Sequence, residues 1–402
     1  MAETFIVPKE PELHWKMLLP NFQHNESFFR HSGRPVHYLF WARNGIYHGL
    51  AALGVKPGDN VLVPAYHCSS LVEPILRYGS NVKFYDINVD LTTNFDDVKA
   101  KVDRKTRAIL AIHYFGFPQP IRKFSELCQA RGLYLIEDCA HVFAGKTQDE
   151  IVLGDSGDIS VFSWRKFLPL YDGGYLVLNN PTLRLEIPSD KYGLLFSMKV
   201  AKNIFDKLID DSEVKFLSHI FRFPYWLARR FLRTNGSELN VLDINNRSLD
   251  FDMSLVNLKM SGLSKCILRN IDLSGVFEKR RVNYNYLLRA LGSLPGITPA
   301  FGELSAGLCP WVFPILVNSH ENFHLTLRSK GIPATTWGGV IHPQIDLDKF
   351  PDAAFLYQNL VLLPVHQDLE EADLRRMVEI FSDALVEGNS SSEYQLAAGG
   401  TL

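Results

Sequence analysis

The stretch GDISVFSWRKFLPLYDGGYLVLNN, residues 157–180, contains two short apolar segments that flank a lysine and a pair of glycines. The segments at 159–163 and 175–178 predict two buried strands, and Lys166 follows the first of them closely. A lysine at the end of a buried strand is a candidate Schiff-base nucleophile, because desolvation lowers the pKa of its amine. Most lysines are solvated surface residues, so the position of Lys166 alone does not identify a site.

Strands and helices alternate in the region before this stretch. Further strands are predicted at 61–64, 81–86, 107–113 and 133–138. Helical segments at 45–53 and 119–131 each end before a glycine. This alternation predicts an α/β fold with a mainly parallel central sheet that helices cover on both faces. Because ligands of such sheets bind beyond the carboxyl ends of the strands, we expect a site near 64–69, 113–116, 138–141 and 163–166.

The composition is that of a soluble globular protein. The chain has 402 residues, and its formal net charge of -2 gives no overall positive field for nucleic acid. Five scattered cysteines without a CxxC pair argue against a disulfide framework or a structural zinc site. The sequence contains neither an apolar run of about 18 residues nor a secretion signal. We therefore expect a cytoplasmic protein without a metal site.

Changes in composition predict four segments. Residues 1–35 are predicted as an N-terminal arm and 36–250 as a large domain with a helical insertion at about 181–250. A smaller α+β domain is predicted at 251–386, and a flexible tail at 387–402. Within the insertion, 216–233 is aromatic and basic, which is typical of a helix on a membrane surface. A helix packed on protein is the favoured interpretation, because Pro224 interrupts the segment.

Two further positions carry candidate chemistry. Asp138 ends a strand, where its carboxylate could hold the protonated pyridine nitrogen of pyridoxal phosphate (PLP) or could cap a helix. The turn at Arg43, Asn44 and Gly45 opens a helix whose free N–H groups could hold a phosphate, or which could be an ordinary helix start. Neither position is decisive, but the order of the three elements along the chain is informative.

That order resembles the DegT/DnrJ/StrS family of PLP-dependent sugar aminotransferases, which have the fold-type I architecture with a smaller C-terminal α+β domain. The matching stretches are ALGVKPGDNVLVPAYHCSSLVEPILRYGSNVKFYDI (52–87), AIHYFGFPQPI (111–121), GLYLIEDCAHVFAG (132–145), GDISVFSWRK (157–166) and DGGYLVLNN (172–180), with weaker matches at 291–299 and 361–381. The resemblance covers most of 36–180 and 280–385, whereas 1–35 and 181–250 do not match.

The resemblance implies roles for individual residues. Lys166 would form the Schiff base with PLP, and Asp138 would pair with the pyridine nitrogen. His141 would lie near the phenolic oxygen of the cofactor. Ser163 would hold the phosphate together with the turn at 43–45, that is Arg43, Asn44 and Gly45.

Two departures from the family pattern concern the same site. The family usually has two more residues between its serine and its lysine than Ser163 and Lys166 allow. The aromatic ring that covers the cofactor in many members is replaced by Cys68, so the resemblance leaves Tyr66 or His67 to take that place.

The implied reaction moves an amino group from glutamate or glutamine to a keto-sugar that is linked to a nucleotide. The resemblance also implies a homodimer, with partner residues drawn from 181–250 or from around 337–339. Two alternatives stay open: a fold-type I enzyme that acts on a non-sugar keto or amino acid substrate, and a catalytically inactive regulatory relative. The presence of both Lys166 and Asp138 weighs against the inactive relative.

Overall fold

The computed structural model describes residues 5–19, 33–188, 193–211, 251–318, 322–337 and 341–398. The predicted membrane-surface or packing helix at 216–233 lies outside the described residues, as does most of the predicted insertion. The two glycines at 338 and 339, which were expected to contribute to a partner subunit, also lie outside them.

The centre of the molecule is a seven-stranded sheet with the order β1-β7-β6-β5-β4-β2-β3. Its strands are β1 (Val36–Leu39), β2 (Asn60–Pro64), β3 (Asn81–Tyr85), β4 (Thr106–Ile112), β5 (Tyr134–Cys139), β6 (Ile159–Ser163) and β7 (Gly174–Leu178). Strands β3, β2, β4, β5 and β6 pair in parallel, and β7 runs antiparallel between β6 and β1. The prediction of a mainly parallel α/β sheet is therefore confirmed.

The register of the parallel strands brings distant segments to one edge of the sheet. Ile112 pairs with Asp138, and Asp138 pairs with Val161 on the next strand. Ser163, at the end of β6, lies opposite Gly174 at the start of β7. As a result, the segments that follow β4, β5 and β6 meet at the same edge, where ligands of such sheets bind.

Ten α-helices are found in the described part of the chain. They are α1 (Ala42–Ala52), α2 (Ser69–Tyr78), α3 (Phe95–Lys101), α4 (Ile121–Arg131), α5 (Leu194–Asp211), α6 (Gly262–Asn270), α7 (Leu273–Leu291), α8 (Phe323–Ser329), α9 (Pro351–Asn359) and α10 (Glu371–Ala398). Side chains cap several of their N-termini: Ser261 accepts from the Ser264 N–H at 3.2 Å, and Asp272 accepts from the Gly275 N–H at 3.0 Å. The predicted helices at 45–53 and 119–131 correspond to α1 and α4.

Glycines allow α1 to lie directly on the sheet. A methyl group at Gly49 would overlap the Ile159 side chain of β6, and one at Gly174 would overlap the backbone of Trp41 and Ala42. Only hydrogen fits at these two positions, so the N-terminus of α1 is held close to the start of β7. This packing fixes Arg43 beside the carboxyl end of β6.

A second, three-stranded antiparallel sheet has the order β10-β9-β8. Its strands are β8 (Ile297–Pro299), β9 (Val312–Val317) and β10 (Leu360–Pro364). The strand predicted at 311–317 is β9. The segment around Leu258, which precedes this second sheet in the chain, contacts the large sheet next to β1: the Phe40 N–H donates to the Leu258 carbonyl at 2.9 Å. Helix α10 continues to Ala398, into the segment predicted as a flexible tail.

All five cysteines are free. Among the described helices, none combines the length and the hydropathy that crossing a membrane requires.

Candidate active site

A cavity of about 1490 Å³ opens at the carboxyl edge of the large sheet. Six of the residues predicted from the sequence line it: Arg43, Cys68, Asp138, His141, Ser163 and Lys166. Side chains from the second sheet and from the N-terminal arm complete the wall, among them Trp311 and Glu10. The structure thus brings together most of the site that was predicted from separate segments.

Lys166 ends a 3₁₀ turn, Trp164–Lys166, that follows β6 without a gap. Its Nζ lies 4.7 Å from the centroid of the Trp311 ring. Burial is the main cause that lowers the pKa of the Lys166 amine to about 8; Cys68 and Asp138 oppose this shift, and the positive charges of Arg165 and Arg43 add to it. A substantial fraction of this amine is therefore uncharged, and nucleophilic, only slightly above neutral pH.

The lowered pKa predicts an unusual pH profile for labelling of Lys166. A lysine amine loses its proton as pH rises through its pKa, so an uncharged acylating reagent should reach half its maximal rate at Lys166 near pH 8. Peptide mass spectrometry of the cofactor-free protein measures this rate for the peptide that contains Lys166 and for the other lysine peptides in one sample. A profile at Lys166 with its midpoint near pH 10.4, the usual value for a lysine amine, would contradict the assignment.

Asp138 lies at the floor of the cavity, near the end of β5, and only 8% of it is exposed. Its Oδ1 accepts a hydrogen bond from the Ala140 N–H at 2.9 Å. Residues 140–158 contain no helix, so Asp138 is not a helix cap. Burial raises the pKa of the Asp138 carboxyl, and the charge of Lys166 and the hydrogen bond from the Ala140 N–H oppose that rise. A cation that bound against this carboxylate would relieve its desolvation.

His141 is held in one orientation by stacked rings. Its imidazole stacks against both Phe115, at 5.4 Å, and Trp311, at 4.3 Å. The Phe115 N–H donates to Nδ1 at 3.2 Å, which assigns the ring proton to Nε2. Burial and the charge of Lys166 hold the pKa of His141 well below its usual range. The ring is therefore neutral at physiological pH, with an N–H donor at the cavity.

Three residues that were predicted to bind cofactor do not line the cavity. The Asn44 Nδ2 donates to the Leu255 carbonyl at 2.8 Å, and Gly45 packs against Val161 of β6. The His67 ring stacks on Phe84 at 5.0 Å, on the side away from the cavity. In the structure Asn44 and Gly45 support the helix start, and His67 supports the loop after β2; contact of these three residues with a cofactor stays a prediction.

Tyr66 does not cover the site either. It is fully buried, and its ring packs against Trp337 at 4.9 Å and Tyr357 at 4.8 Å. Of the three consecutive residues after Ala65, only Cys68 lines the cavity. The aromatic surface next to Lys166 comes instead from Trp311, which precedes β9. The position of Trp311 before a strand of the second sheet gave no signal in the sequence.

Arg280 of α7 is a second residue that the sequence did not reveal. It is 1% exposed, and its guanidinium donates to the Trp311 carbonyl at 2.9 Å and to the Phe167 carbonyl at 2.9 Å. Its Nε donates to the Gln367 Oε1 at 3.1 Å. Arg280 therefore ties the second sheet to the turn that carries Lys166, which makes it a positioning residue.

Replacement of Arg280 by methionine is expected to destabilise the fold by about 2–4 kcal/mol, because two buried carbonyls would lose a charged donor. Urea unfolding followed by tryptophan fluorescence measures this change. The matched control is Arg289→Met on the same helix, where the side chain is exposed and little change is expected. Equal stability of the two variants would contradict the positioning role.

His113, Glu137 and Cys139 form a buried cluster whose ligand-type atoms lie within 4.8 Å of one another. Its polar atoms are already engaged: Glu137 accepts from the Gly154, Ser156 and Gly157 N–H groups and from the His113 Nε2–H. The His113 Nδ1 in turn accepts from the Gln119 N–H at 3.0 Å. The cluster therefore holds the loop after β5 and leaves His113 and Glu137 no free ligand atom for a metal ion.

Residues 42–191 match the model of the DegT/DnrJ/EryC1/StrS aminotransferase family. The match includes every residue predicted for the site and does not extend to 280–385, where the sequence resemblance is weaker. The resemblance drawn from the motifs is thus confirmed.

Curated relatives of the chain include two GDP-perosamine synthases and one aminotransferase of a dTDP-linked sugar. GDP-perosamine synthase of Escherichia coli O157:H7 is 35% identical over 37% of this chain, and the aligned region spans only 42% of that synthase. For GDP-perosamine synthase of Vibrio cholerae the identity is 36% over 33% of this chain and 36% of the relative. The dTDP-4-dehydro-2,3,6-trideoxy-D-glucose 4-aminotransferase of Saccharopolyspora spinosa is 24% identical over 89% of this chain and 87% of its own length.

Solved structures share the whole architecture. Helicobacter pylori PseC, an aminotransferase involved in the biosynthesis of pseudoaminic acid, superposes with a TM-score of 0.66 at 15% identity and covers 96% of this chain and 100% of its own. A sugar aminotransferase described from Streptococcus pneumoniae, solved in its PMP form, gives a TM-score of 0.65 at 16% identity over 98% of this chain and 94% of its own. At these identities the likeness shows the fold, which is that of PLP-dependent aminotransferases, as predicted.

Proposed function

We propose that this protein is a PLP-dependent aminotransferase that moves an amino group from glutamate or glutamine to a nucleotide-linked keto-sugar, with Lys166 joined to the cofactor through a Schiff base. One observation carries the proposal: a half-buried lysine whose amine has a pKa of about 8 shares a cavity with the buried carboxylate of Asp138. The match of residues 42–191 to the aminotransferase family model supports the same reaction class.

The donor set of the cavity fits PLP. Bound PLP supplies an electron sink that stabilises negative charge on the carbon that carries the amino group. Asp138 would pair with its protonated ring nitrogen, which would relieve the desolvation of the carboxylate. The Nε2–H of His141 would donate to its phenolic oxygen, and Ser163 would contact its phosphate from the end of β6.

Lys166 also has the properties of a general acid and base. Because the pKa of its amine is about 8, Lys166 can accept and release a proton near neutral pH. Trp311 lies against the amine and shields one side of it from water. Arg280 holds both Trp311 and the turn of Lys166, so the distance between the two groups is set by the packing of α7.

The charges of the cavity favour an anionic substrate. Eight Lys and Arg side chains line it against three Asp and Glu side chains, and Lys9, Lys207 and Arg328 lie among the cations. The diphosphate of a nucleotide-linked sugar would complement this excess of positive charge. The relatives include a GDP-perosamine synthase and a 4-aminotransferase of a dTDP-linked sugar, which supports the same substrate class.

The experiment follows the two half-reactions separately. Purified protein is loaded with PLP and mixed with glutamate or glutamine, and loss of the visible absorbance band is followed. The aminated protein is then offered a panel of GDP-, UDP- and dTDP-linked keto-sugars, with free sugars and simple keto acids for comparison. We expect return of the band only with nucleotide-linked keto-sugars. Return with simple keto acids alone would favour a non-sugar acceptor, and no change with any donor would favour an inactive relative.

A homodimer is part of the same proposal. Sedimentation equilibrium of the loaded protein should give twice the chain mass of 45.7 kDa. A monomer with full turnover would contradict it.

A further inference from the structure

Two guanidinium groups lie in the cavity that holds Lys166. Arg43 is the second residue of α1, and Arg165 directly precedes Lys166 in the 3₁₀ turn after β6. The start of α1 packs on Gly174, which pairs with Ser163 at the end of β6, so the two arginines come from neighbouring backbone segments. Both side chains line the cavity, and burial together with the charge of Arg165 lowers the pKa of Arg43 to about 10. Two partly buried guanidinium groups whose like charges interact are unfavourable without an anion nearby.

Neither arginine forms an ion pair with a carboxylate within the described part of the protein. Arg43 stacks on Trp41, with its guanidinium carbon 4.7 Å from the ring centroid. The negative charges of Glu10 and Asp172 act on Arg165, but neither carboxylate is hydrogen-bonded to it. Glu10 pairs with Lys207 at 4.0 Å, and the Asp172 Oδ1 accepts from the Ser261 N–H at 3.0 Å. The two guanidinium groups are therefore available to a ligand.

We propose that Arg43 and Arg165 form a clamp for the phosphate monoester of PLP, in which two guanidinium groups share one dianion. This inference rests on the proposed function. A guanidinium offers two parallel N–H donors to a phosphate, so two of them can engage three phosphate oxygens. The helix start, which was expected to hold the phosphate through its backbone, then becomes a platform for the side chain of Arg43.

The short loop after β6 explains how Arg165 reaches the phosphate. Only Trp164 and Arg165 separate Ser163 from Lys166, and Trp164 is buried against the protein interior. Arg165 is therefore the one side chain of this pair that lines the cavity. The loop is too short to surround a phosphate with its own backbone, and a long charged side chain compensates for the missing donors.

The charge balance favours a dianion over a carboxylate. The two arginines carry two positive charges, and Lys166 lies close enough for both of them to lower the pKa of its amine. A phosphate monoester carries nearly two negative charges at neutral pH, whereas the carboxylate of an amino donor carries one. A carboxylate would leave one buried guanidinium without compensation.

The test compares PLP with pyridoxal, which lacks the phosphate. Both are titrated into the cofactor-free full-length protein, and binding is followed by quenching of tryptophan fluorescence. Arg165→Gln and Arg43→Gln are each expected to weaken PLP binding by about 10- to 100-fold and to leave pyridoxal binding unchanged. Arg165→Lys keeps the charge and should retain much of the PLP affinity. The control Arg77→Gln removes a cavity guanidinium that already pairs with Glu73 at 3.5 Å, and it should change neither affinity.

The outcomes separate this inference from the proposed function. If the wild-type protein bound neither compound, the proposed function itself would fail. If the wild-type protein bound PLP and both glutamine variants kept the wild-type ratio of PLP to pyridoxal affinity, the clamp would be overturned while the function stood. If this ratio of affinities were unchanged but the glutamate concentration that gives half-maximal reaction were raised, the arginines would instead bind the carboxylate of the amino donor. Circular dichroism of each variant, together with retained pyridoxal binding, excludes loss of the fold as the cause.

Discussion

Replacement of Lys166 by alanine is expected to lower the rate of amino transfer by about 10³-fold or more, because the covalent partner and the proton carrier are lost together. The fold should remain intact. Burial disfavours the charged form of this amine, as its pKa of about 8 shows, so its removal takes no net electrostatic stabilisation from the protein at neutral pH. PLP should still bind, since Asp138, His141 and the arginines are unchanged.

Three measurements check this expectation. Turnover is assayed by product mass spectrometry, PLP binding by equilibrium dialysis, and stability by urea unfolding. Borohydride treatment should add a stable cofactor mass to the wild-type peptide that contains Lys166 and none to the variant. Lys99→Ala, a change of an exposed lysine outside the cavity, is the matched control. Turnover of the Lys166→Ala protein at the control rate would remove Lys166 from the mechanism.

The sequence predicted those site residues whose positions follow from the order and direction of the strands. Asp138 and Ser163 close neighbouring parallel strands, and such strands end at a common edge, so a linear pattern predicts their proximity. Lys166 follows within one turn of β6. The same rule does not determine the direction of side chains in the loop after β2. Tyr66, His67 and Cys68 are consecutive, and packing against Phe84 and Tyr357 decides that only Cys68 lines the cavity.

The residues that the sequence did not reveal reach the site through tertiary packing. Trp311 lies at the start of the second sheet and Arg280 on the helix beside it, and their positions relative to Lys166 depend on how the two sheets pack together.

The N-terminal arm also reaches the cavity through tertiary contacts. Its Glu12 N–H donates to Asp368 at 3.0 Å, and its Leu13 N–H donates to Asp211 at 2.7 Å. Both partners are distant in the chain, so no local pattern predicts that this arm lines the cavity.

Replacement of Asp138 by asparagine removes the negative charge and keeps the shape of the side chain. We expect this change to lower the rate of amino transfer by about 10²–10³-fold, because the loss of one preorganised electrostatic contact usually has an effect of this size. The amide side chain can still accept from the Ala140 N–H, so the loop after β5 keeps its hydrogen bond. The lost feature is the negative charge that would keep the ring nitrogen of the cofactor protonated. Asp252→Asn is the matched control, because Asp252 lines the same cavity and an amide there preserves its cap on the Ser254 N–H.

The same variant should have opposite effects on stability with and without PLP. Burial raises the pKa of Asp138 in the folded protein, so the charged carboxylate weakens folding as pH rises above its unfolded pKa of about 4. At pH 7 the cofactor-free Asp138→Asn protein should therefore unfold at a temperature equal to or higher than that of the wild type. With PLP present the order should reverse, because only the wild type gains a buried ion pair with the ring nitrogen. Thermal unfolding with and without PLP tests both signs, and a variant that is less stable in both conditions would mean that the carboxylate supports the fold rather than the cofactor.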